Sequence, residues 1–134
     1  MQKIVWDNTL SVEVDEIDED HKRLIELYNL LSNAVSENDS YEYIDALLEE
    51  LISCTAWHFR HEERLMIRYQ YKRFEEHKLE HEELIDDARE LQRKFHQAHP
   101  QLTTEDIAYL SDWLTGHILN QDIRMGFYLM GVMD

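Results

Sequence analysis

The chain has 134 residues, with one proline, three glycines and one cysteine. Its 13 basic and 29 acidic side chains give a formal net charge of -16, which would repel phosphate backbones and anionic lipid headgroups, so we expect no nucleic acid and no membrane partner. We expect a single domain over residues 1–134, long enough to bury a core. The N-terminus lacks a secretory signal and Cys54 has no second cysteine to pair with, so we expect a soluble, cytoplasmic protein.

Helical periodicity follows an N-terminal arm of about residues 1–17. Apolar residues then recur at three- and four-residue steps in four segments, which predicts helices over about residues 18–37, 40–68, 71–98 and 104–125. Asp39 and Glu42 are expected to form a capping box for the second helix, and Pro100 follows the third as a stop signal. Because the loops are short, consecutive helices should be antiparallel neighbours, and we predict an all-α, up-down-up-down four-helix bundle.

Five histidines lie on the apolar stripes of these helices and are expected to face the bundle axis. They are His21 on the first helix, His58 on the second, His77 and His81 on the third, and His117 on the fourth. Glu62 lies near the middle of the stripe that carries His58, whereas Glu63 lies on the polar side and His61 at the edge. Gly116, beside His117, is expected to allow a neighbouring backbone or a cofactor to approach closely.

This concentration of inward polar groups indicates a metal centre. Burying a neutral polar group without a partner costs roughly 2 to 7 kcal/mol, and burying a charge costs more. Imidazole with few carboxylates suits iron, zinc or copper better than magnesium or calcium. There are more ligand-type residues than one tetrahedral zinc ion can bind. Their number fits a pair of metals bridged by carboxylates. The chain has no Glu-x-x-His pair, which argues against a carboxylate-rich ferritin-like site.

The motifs His21, His58-x-x-x-Glu62, His77-x-x-x-His81 and His117-x-x-x-x-Asp122 resemble the ligand signature of the hemerythrin family in its single-domain bacterial form. Trp6 and the segments SVEVDEIDEDHKRL and HFRHEERLM share in this resemblance, which covers nearly the whole chain. The resemblance implies a non-heme di-iron centre (Fe2+/Fe3+) with a bridging oxo or hydroxo group. It also implies that one iron is held by His77, His81 and His117 and the other by His21 and His58, with Glu62 and Asp122 bridging both.

The same resemblance implies reversible O2 binding at an open position of the two-histidine iron, for oxygen storage, delivery or sensing and without catalytic turnover. We propose an apolar wall around that position, formed by Ile25, Trp113, Leu114 and Ile118. The expected partners are O2 and, for delivery or sensing, another protein, and we expect a monomer or weak oligomer. An enzyme acting on peroxide or nitric oxide, an iron-repair protein and a bundle stabilised by zinc are the alternatives.

Asp122 is the one residue of this set that periodicity does not predict. It lies five residues after His117, about 140° around an ideal helix, whereas Gln121 would share the face of His117. A local π-type widening, or a position near the helix end, would be needed to turn Asp122 inward.

The chain departs from the family at two turns. Gln70-Tyr71-Lys72 replaces the familiar Gly-Tyr-Pro, and Glu13 replaces a small residue in the arm. These changes touch no proposed ligand, but they could shift the loop geometry.

The remaining candidates have ordinary explanations. His61 could handle protons or support a ligand, His96 and His99 are expected in solvent, and Cys54 is expected to be a core thiol. The apolar tail, residues 126–134, should pack on the bundle or contact another subunit. A solvated acidic face is expected from Glu80, Glu82, Glu83, Asp86 and Asp87.

Overall fold

The computed structural model describes residues 3–98 and 101–133. A short 3-10 turn at Asn8–Leu10 precedes long helices, and these residues contain no strand. The helices are α1 (Asp15–Ser36), α2 (Tyr41–Arg68), α3 (Phe74–Ala98), α4 (Thr104–His117) and α5 (Ile123–Met130), with a π-helical turn at Ile118–Asp122 joining the last two into one continuous helix. In the bundle, α1 contacts α2 and α4, and α3 contacts α2 and α4. The predicted four-helix bundle is confirmed.

Local hydrogen bonds explain where the helices begin. Helix α1 starts three residues earlier than predicted, because the Val14 carbonyl accepts the N–H groups of Ile17 and Asp18 at 3.0 and 2.9 Å. The predicted Asp39–Glu42 capping box is wrong. Ser40 caps α2, with its hydroxyl accepting the N–H of Tyr43 at 3.2 Å.

The N-terminal arm is fastened to the bundle by side chains that bond its backbone. Asn29 accepts the N–H of Ile4 at 2.9 Å and donates to its carbonyl at 2.8 Å. Asp18 accepts the Ser11 hydroxyl at 2.6 Å and the Val12 N–H at 2.8 Å. These bonds hold the arm along α1.

The close backbone approach expected at Gly116 occurs elsewhere, at Gly126. Among the described residues, no atom outside its own helix backbone and chain neighbours would lie within 4 Å of a Cβ placed at Gly116, so the expectation of a neighbouring backbone there is wrong. A Cβ at Gly126 would lie 2.1 Å from the Val12 carbonyl oxygen and 2.7 Å from the Val12 Cβ. Gly126 therefore lets the arm pack directly on α5.

Both positions that depart from the family pattern adopt the left-handed backbone conformation. Glu13 has φ 63° and Gln70 has φ 57°, and Asn38, after α1, has φ 54°. This conformation favours glycine, because a Cβ crowds the following carbonyl oxygen. The chain thus forms these turns with residues that carry a steric cost.

The last helix continues beyond the predicted end at residue 125 and reaches Met130. Met125, Gly126 and Leu129 are buried, whereas Phe127 and Met130 are exposed. The tail therefore packs on the bundle through one face and presents the other to solvent. No described helix is long and apolar enough to cross a membrane.

Candidate metal centre

The seven residues predicted as ligands lie together in the middle of the bundle. None is more than 5% exposed. They come from all four helices of the bundle: His21 from α1, His58 and Glu62 from α2, His77 and His81 from α3, His117 from the end of α4, and Asp122 from the π-helical turn. The inward directions predicted for His58 and Glu62 are confirmed.

The ligand-type atoms form two groups that share both carboxylates. The three-histidine group contains Glu62, His77, His81, His117 and Asp122, and the two-histidine group contains His21, His58, Glu62 and Asp122. Within each group the atoms lie within 4.8 Å of one another. This is the spacing of donors that surround a common metal ion.

Each shared carboxylate directs one oxygen to each group. Glu62 Oε1 lies 2.9 Å from His81 Nε2, and its Oε2 lies 3.0 Å from His58 Nε2. Asp122 Oδ1 lies 2.9 Å from both His77 Nε2 and His117 Nε2, and its Oδ2 lies 2.8 Å from His21 Nε2. Both carboxylates therefore stand between the groups, as bridging ligands do.

The π-helical turn explains how Asp122 reaches this position. Its backbone bond runs from the Ile123 N–H to the Ile118 carbonyl, five residues back, so the turn contains one residue more than an α-helical turn. Asp122 is fully buried within the cluster, whereas Gln121 is only partly buried. The sequence left two explanations for an inward Asp122, a π-type widening and a position near the helix end. The turn agrees with the π-type widening.

Many polar atoms of the cluster lack hydrogen bonds although they are buried. Both ring nitrogens of His21 and of His77, Nε2 of His58 and of His117, and three of the four carboxylate oxygens have no hydrogen-bond partner among the described residues. These atoms nevertheless lie close to one another, within the two groups described above. Because buried polar groups are normally paired, the donor set fits metal ions, which would satisfy these atoms.

The electrostatics of the metal-free cluster favour positive charge. Burial lowers the pKa of His58, but the charge of Glu62 and the contact with Asp20 outweigh burial and raise that pKa to about 10. Burial likewise opposes a charged His77, whose contacts with Asp122 and Glu62 raise its pKa to about 9. Burial alone would raise the pKa of Glu62, yet the positive His58 holds it well below its ordinary value. The buried carboxylates therefore stabilise positive charge within the cluster.

Three further carboxylates contact the Nδ1 atoms of three histidines. Nδ1 lies 2.8 Å from Asp20 in His58, 2.8 Å from Glu63 in His81 and 2.9 Å from Glu80 in His117. The expectation that Glu63 points to solvent is wrong, as is the assignment of Glu80 to a purely solvated face. Sequence reasoning missed Asp20, which directly precedes His21 and offered no periodic signal. Glu82, Glu83, Asp86 and Asp87 are exposed as predicted.

His61 lies outside the two groups and next to one of these carboxylates. Its Nδ1 is 2.6 Å from Asp20, which also contacts His58, and its Nε2 is 2.7 Å from Glu16. The ring also lies 5.6 Å from the ring of Trp57. The role predicted for His61, supporting a ligand or handling protons, stays a prediction.

An apolar cavity of about 10 Å³ is lined by both histidines of the two-histidine group, His21 and His58, and also by Asp122 and by His117 of the three-histidine group. Such a volume is about the smallest that admits one water-sized molecule. Of the wall residues proposed from sequence, Trp113, Leu114 and Ile118 line the cavity, whereas Ile25 lies beside the arm. Sequence reasoning missed four further wall residues: Leu24, Thr55, Phe59 and Leu84.

One of the missed residues, Leu24, had a sequence signal, and another, Phe59, had none. Leu24 lies one helical turn after His21 and so faces the same way. Phe59 directly follows His58, where a helical wheel places it off the line of that histidine, but its ring stacks on His81 at 3.8 Å and 5°. Ring stacking across helices is not visible in the spacing of one helix.

Other candidate residues lie away from the cluster. His96 is exposed and contacts Asp45 at 2.5 Å. His99 lies outside the described residues. Cys54 is half-buried, and burial raises the pKa of its thiol, which agrees with an unreactive core residue.

Comparison with known proteins gives one family. Residues 12–125 match the model of the hemerythrin HHE cation binding domain. The chain is 36% identical over 122 residues to a bacteriohemerythrin of Pseudomonas paraeruginosa, covering 91% of this chain and 78% of that relative. A bacteriohemerythrin of Methylococcus capsulatus is 31% identical over 109 residues, covering 81% of this chain and 82% of the relative.

Solved structures agree with the sequence comparisons. The crystal structure of wild-type hemerythrin matches with a TM-score of 0.87 at 28% identity, covering 95% of this chain and 98% of the other. A four-helix bundle with buried histidines and carboxylates at its centre defines a metal-binding helical protein. With a family model that spans most of its length, the chain belongs to the hemerythrin family.

Proposed function

We propose that the chain binds O2 reversibly at a non-heme di-iron centre held by the two groups of buried residues. The observation that carries this proposal is the division of each shared carboxylate, with one oxygen of Glu62 and of Asp122 directed to each group. Such sharing suits two metal ions, one held by each group. Imidazole nitrogens with a few carboxylate oxygens suit iron, zinc or copper, and membership of the hemerythrin family favours iron among these.

When bound, the iron pair would supply two electrons to O2 and recover them on its release. The chain supplies unequal surroundings for the two ions. The three-histidine group offers five donors, counting both carboxylates, whereas the two-histidine group offers four. Both histidines of the two-histidine group line the apolar cavity, against one of the three in the other group. We therefore propose that O2 would bind on the side of His21 and His58.

The cavity wall would keep water and protons away from bound oxygen. Leu24, Trp113, Leu114 and Ile118 carry no free polar group into the cavity, because the Trp113 indole N–H donates to the Leu84 carbonyl at 2.9 Å. Thr55 is committed as well, since its hydroxyl donates to the Leu51 carbonyl at 2.6 Å. An apolar wall in which the Trp113 N–H and the Thr55 hydroxyl are already donated to backbone carbonyls favours release of O2 over its reduction. The same feature favours a carrier or sensor over an enzyme.

The carboxylates of Asp20, Glu63 and Glu80 would orient the rings of the histidines that they contact. With a proton held on Nδ1 by Asp20, Glu63 or Glu80, the corresponding imidazole presents the lone pair of Nε2 to the metal. The nearby negative charge also makes that nitrogen a stronger donor. Three of the five histidines are held in this way.

Anaerobic loading with ferrous iron tests the proposal. We expect two irons per chain and, on admission of O2, a visible absorption band that disappears on degassing. His21→Ala should abolish the band, whereas His96→Ala, at an exposed histidine, should leave it unchanged. Two zinc ions per chain in the protein as purified, or a band that degassing does not reverse after iron loading, would overturn the proposal. Sustained turnover of peroxide or nitric oxide would replace it with the enzyme alternative.

A further inference from the structure

A group of cations lies at one end of the bundle, although the net charge of the chain is -16. We call this region the basic cleft. It has a volume of about 430 Å³. It is lined by Tyr71, Lys72, Arg73, Arg124, Phe127 and Tyr128.

The charges of the basic cleft are largely free to meet a partner. Arg73 lies 3.6 Å from Glu76, but Lys72 and Arg124 have no ion-pair partner among the described residues. Both side chains are exposed. A local excess of positive charge on an acidic protein attracts an acidic surface and orients it during approach.

An apolar side chain lies among these cations. Phe127 is 76% exposed, which is unusual for a phenylalanine on a helix whose opposite face is buried. A protruding aromatic residue surrounded by charges resembles the anatomy of a protein interface, in which an apolar anchor is enclosed by a polar rim. A small anion would use the charges but would gain little from Phe127.

Aromatic rings connect the floor of the basic cleft to the metal-binding cluster. The ring of Tyr128 lies 5.1 Å from that of Tyr71, and the ring of Tyr71 lies 6.5 Å from that of His77. Tyr71 is 8% exposed, and its hydroxyl has no hydrogen-bond partner among the described residues. Because electron transfer weakens steeply with distance, this series of ring contacts is a favourable route between the surface and the three-histidine group.

We propose that the basic cleft is the docking site for an acidic one-electron carrier protein, which returns the oxidised iron pair to its O2-binding state through Tyr128, Tyr71 and His77. This inference rests on the proposed function. Each encounter oxidises one carrier and delivers one electron, so two encounters convert two ferric ions to two ferrous ions. No bond of the chain forms or breaks. A brief, charge-guided encounter of this kind needs only a small interface.

The test measures anaerobic reduction of the oxidised iron-loaded protein by a reduced, acidic plant-type ferredoxin in a stopped-flow instrument. The paired substitution Lys72→Glu/Arg124→Glu should slow the reduction by roughly tenfold at low ionic strength, since steering changes association rates by about 10 to 10³. Lys3→Glu/Lys94→Glu makes the same change of net charge at exposed lysines elsewhere and should have a much smaller effect. Phe127→Ala should weaken docking without affecting the fold.

Two further measurements separate docking from the state of the iron. Calorimetric titration with oxidised ferredoxin, in which no electron moves, should show binding that the basic-cleft pair weakens and the control pair retains. Reduction by the small methyl viologen radical cation should not be slowed by the basic-cleft pair. The O2-dependent band of each variant is recorded in parallel, so that failure of the proposed function is detected independently.

Equal slowing by both pairs of substitutions, or a ferredoxin reaction insensitive to salt, would overturn the docking proposal. A parallel calorimetric titration with citrate tests for a small-anion site. Loss of citrate binding in the basic-cleft pair, with ferredoxin binding unchanged, would overturn the docking proposal and define a small-anion site instead.

Discussion

Gly126→Ala should destabilise the protein by disturbing the contact between the arm and α5. The added Cβ would lie 2.1 Å from the Val12 carbonyl oxygen, a backbone atom that cannot rotate away, so the arm must shift. Overpacking costs about 1 to 3 kcal/mol, and this contact belongs at the upper end. Replacing glycine by alanine in a helix returns up to about 1 kcal/mol. We therefore expect a net loss of about 2 kcal/mol in the free energy of unfolding.

Gly116→Ala provides the matched control, because a Cβ there would meet no neighbouring atom within 4 Å. It should stabilise the protein by up to about 1 kcal/mol through helix propensity alone. Urea denaturation of both variants and the parent, all metal-free, measures the difference. Amide exchange of Val12, whose N–H bonds Asp18, should rise only in Gly126→Ala. The reasoning is refuted if both variants gain stability or if exchange in the arm is unchanged.

The remaining predictions concern the left-handed backbone at Gln70, the carboxylate of Glu80 and the stability of the protein in acid. Gln70→Gly should stabilise the metal-free protein by roughly 0.5 to 1 kcal/mol in urea denaturation, because it relieves a left-handed residue at φ 57°. Asn38→Gly should gain less, since asparagine tolerates this conformation, and an equal gain would contradict the explanation. Glu80→Gln should lower iron affinity about 10- to 100-fold in competition with a chelator, because the charge beside His117 Nδ1 is lost. The same change at exposed Glu82 should have no effect, and equal losses would count against an orienting role. Hydrogen bonds from Arg89, Ser53 and Gln92 lower the pKa of Glu49 to about 2. Its contribution to stability is therefore complete above the unfolded pKa near 4.5 and is lost as pH falls towards 2. Because this contact is half exposed, the loss should stay below about 1 kcal/mol, and Glu49→Gln should flatten the acid limb of a stability–pH curve. An unchanged acid limb would show that the contact adds nothing.

Periodicity predicted the interior of the bundle well because inward polar residues are rare. His58, Glu62, His77 and His81 share a face with apolar neighbours, and a helical wheel is enough to direct them inward. Asp122 required a π-helical turn, which a regular wheel cannot represent. Only the family resemblance included it in the proposed site.

The sequence was least informative about contacts between helices. Glu63 lies on the polar side of α2, but its flexible side chain reaches α3 and contacts His81. Glu80 and Asp20 reach histidines of other helices in the same way. Gly126 was missed because its partner, Val12, lies 114 residues earlier in the chain. A wheel gives the direction of a side chain from its own axis, whereas these contacts depend on how neighbouring helices are placed.

The sharing of Glu62 and Asp122 makes the two halves of the cluster interdependent. An ion in either half would fix the rotamers of both carboxylates and so present their remaining oxygens, already ordered, to the other half. Loading should therefore be cooperative, with few half-filled molecules. Mutational sensitivity is unequal for the same reason: loss of one histidine removes a donor from one half, whereas loss of either shared carboxylate removes a donor from both.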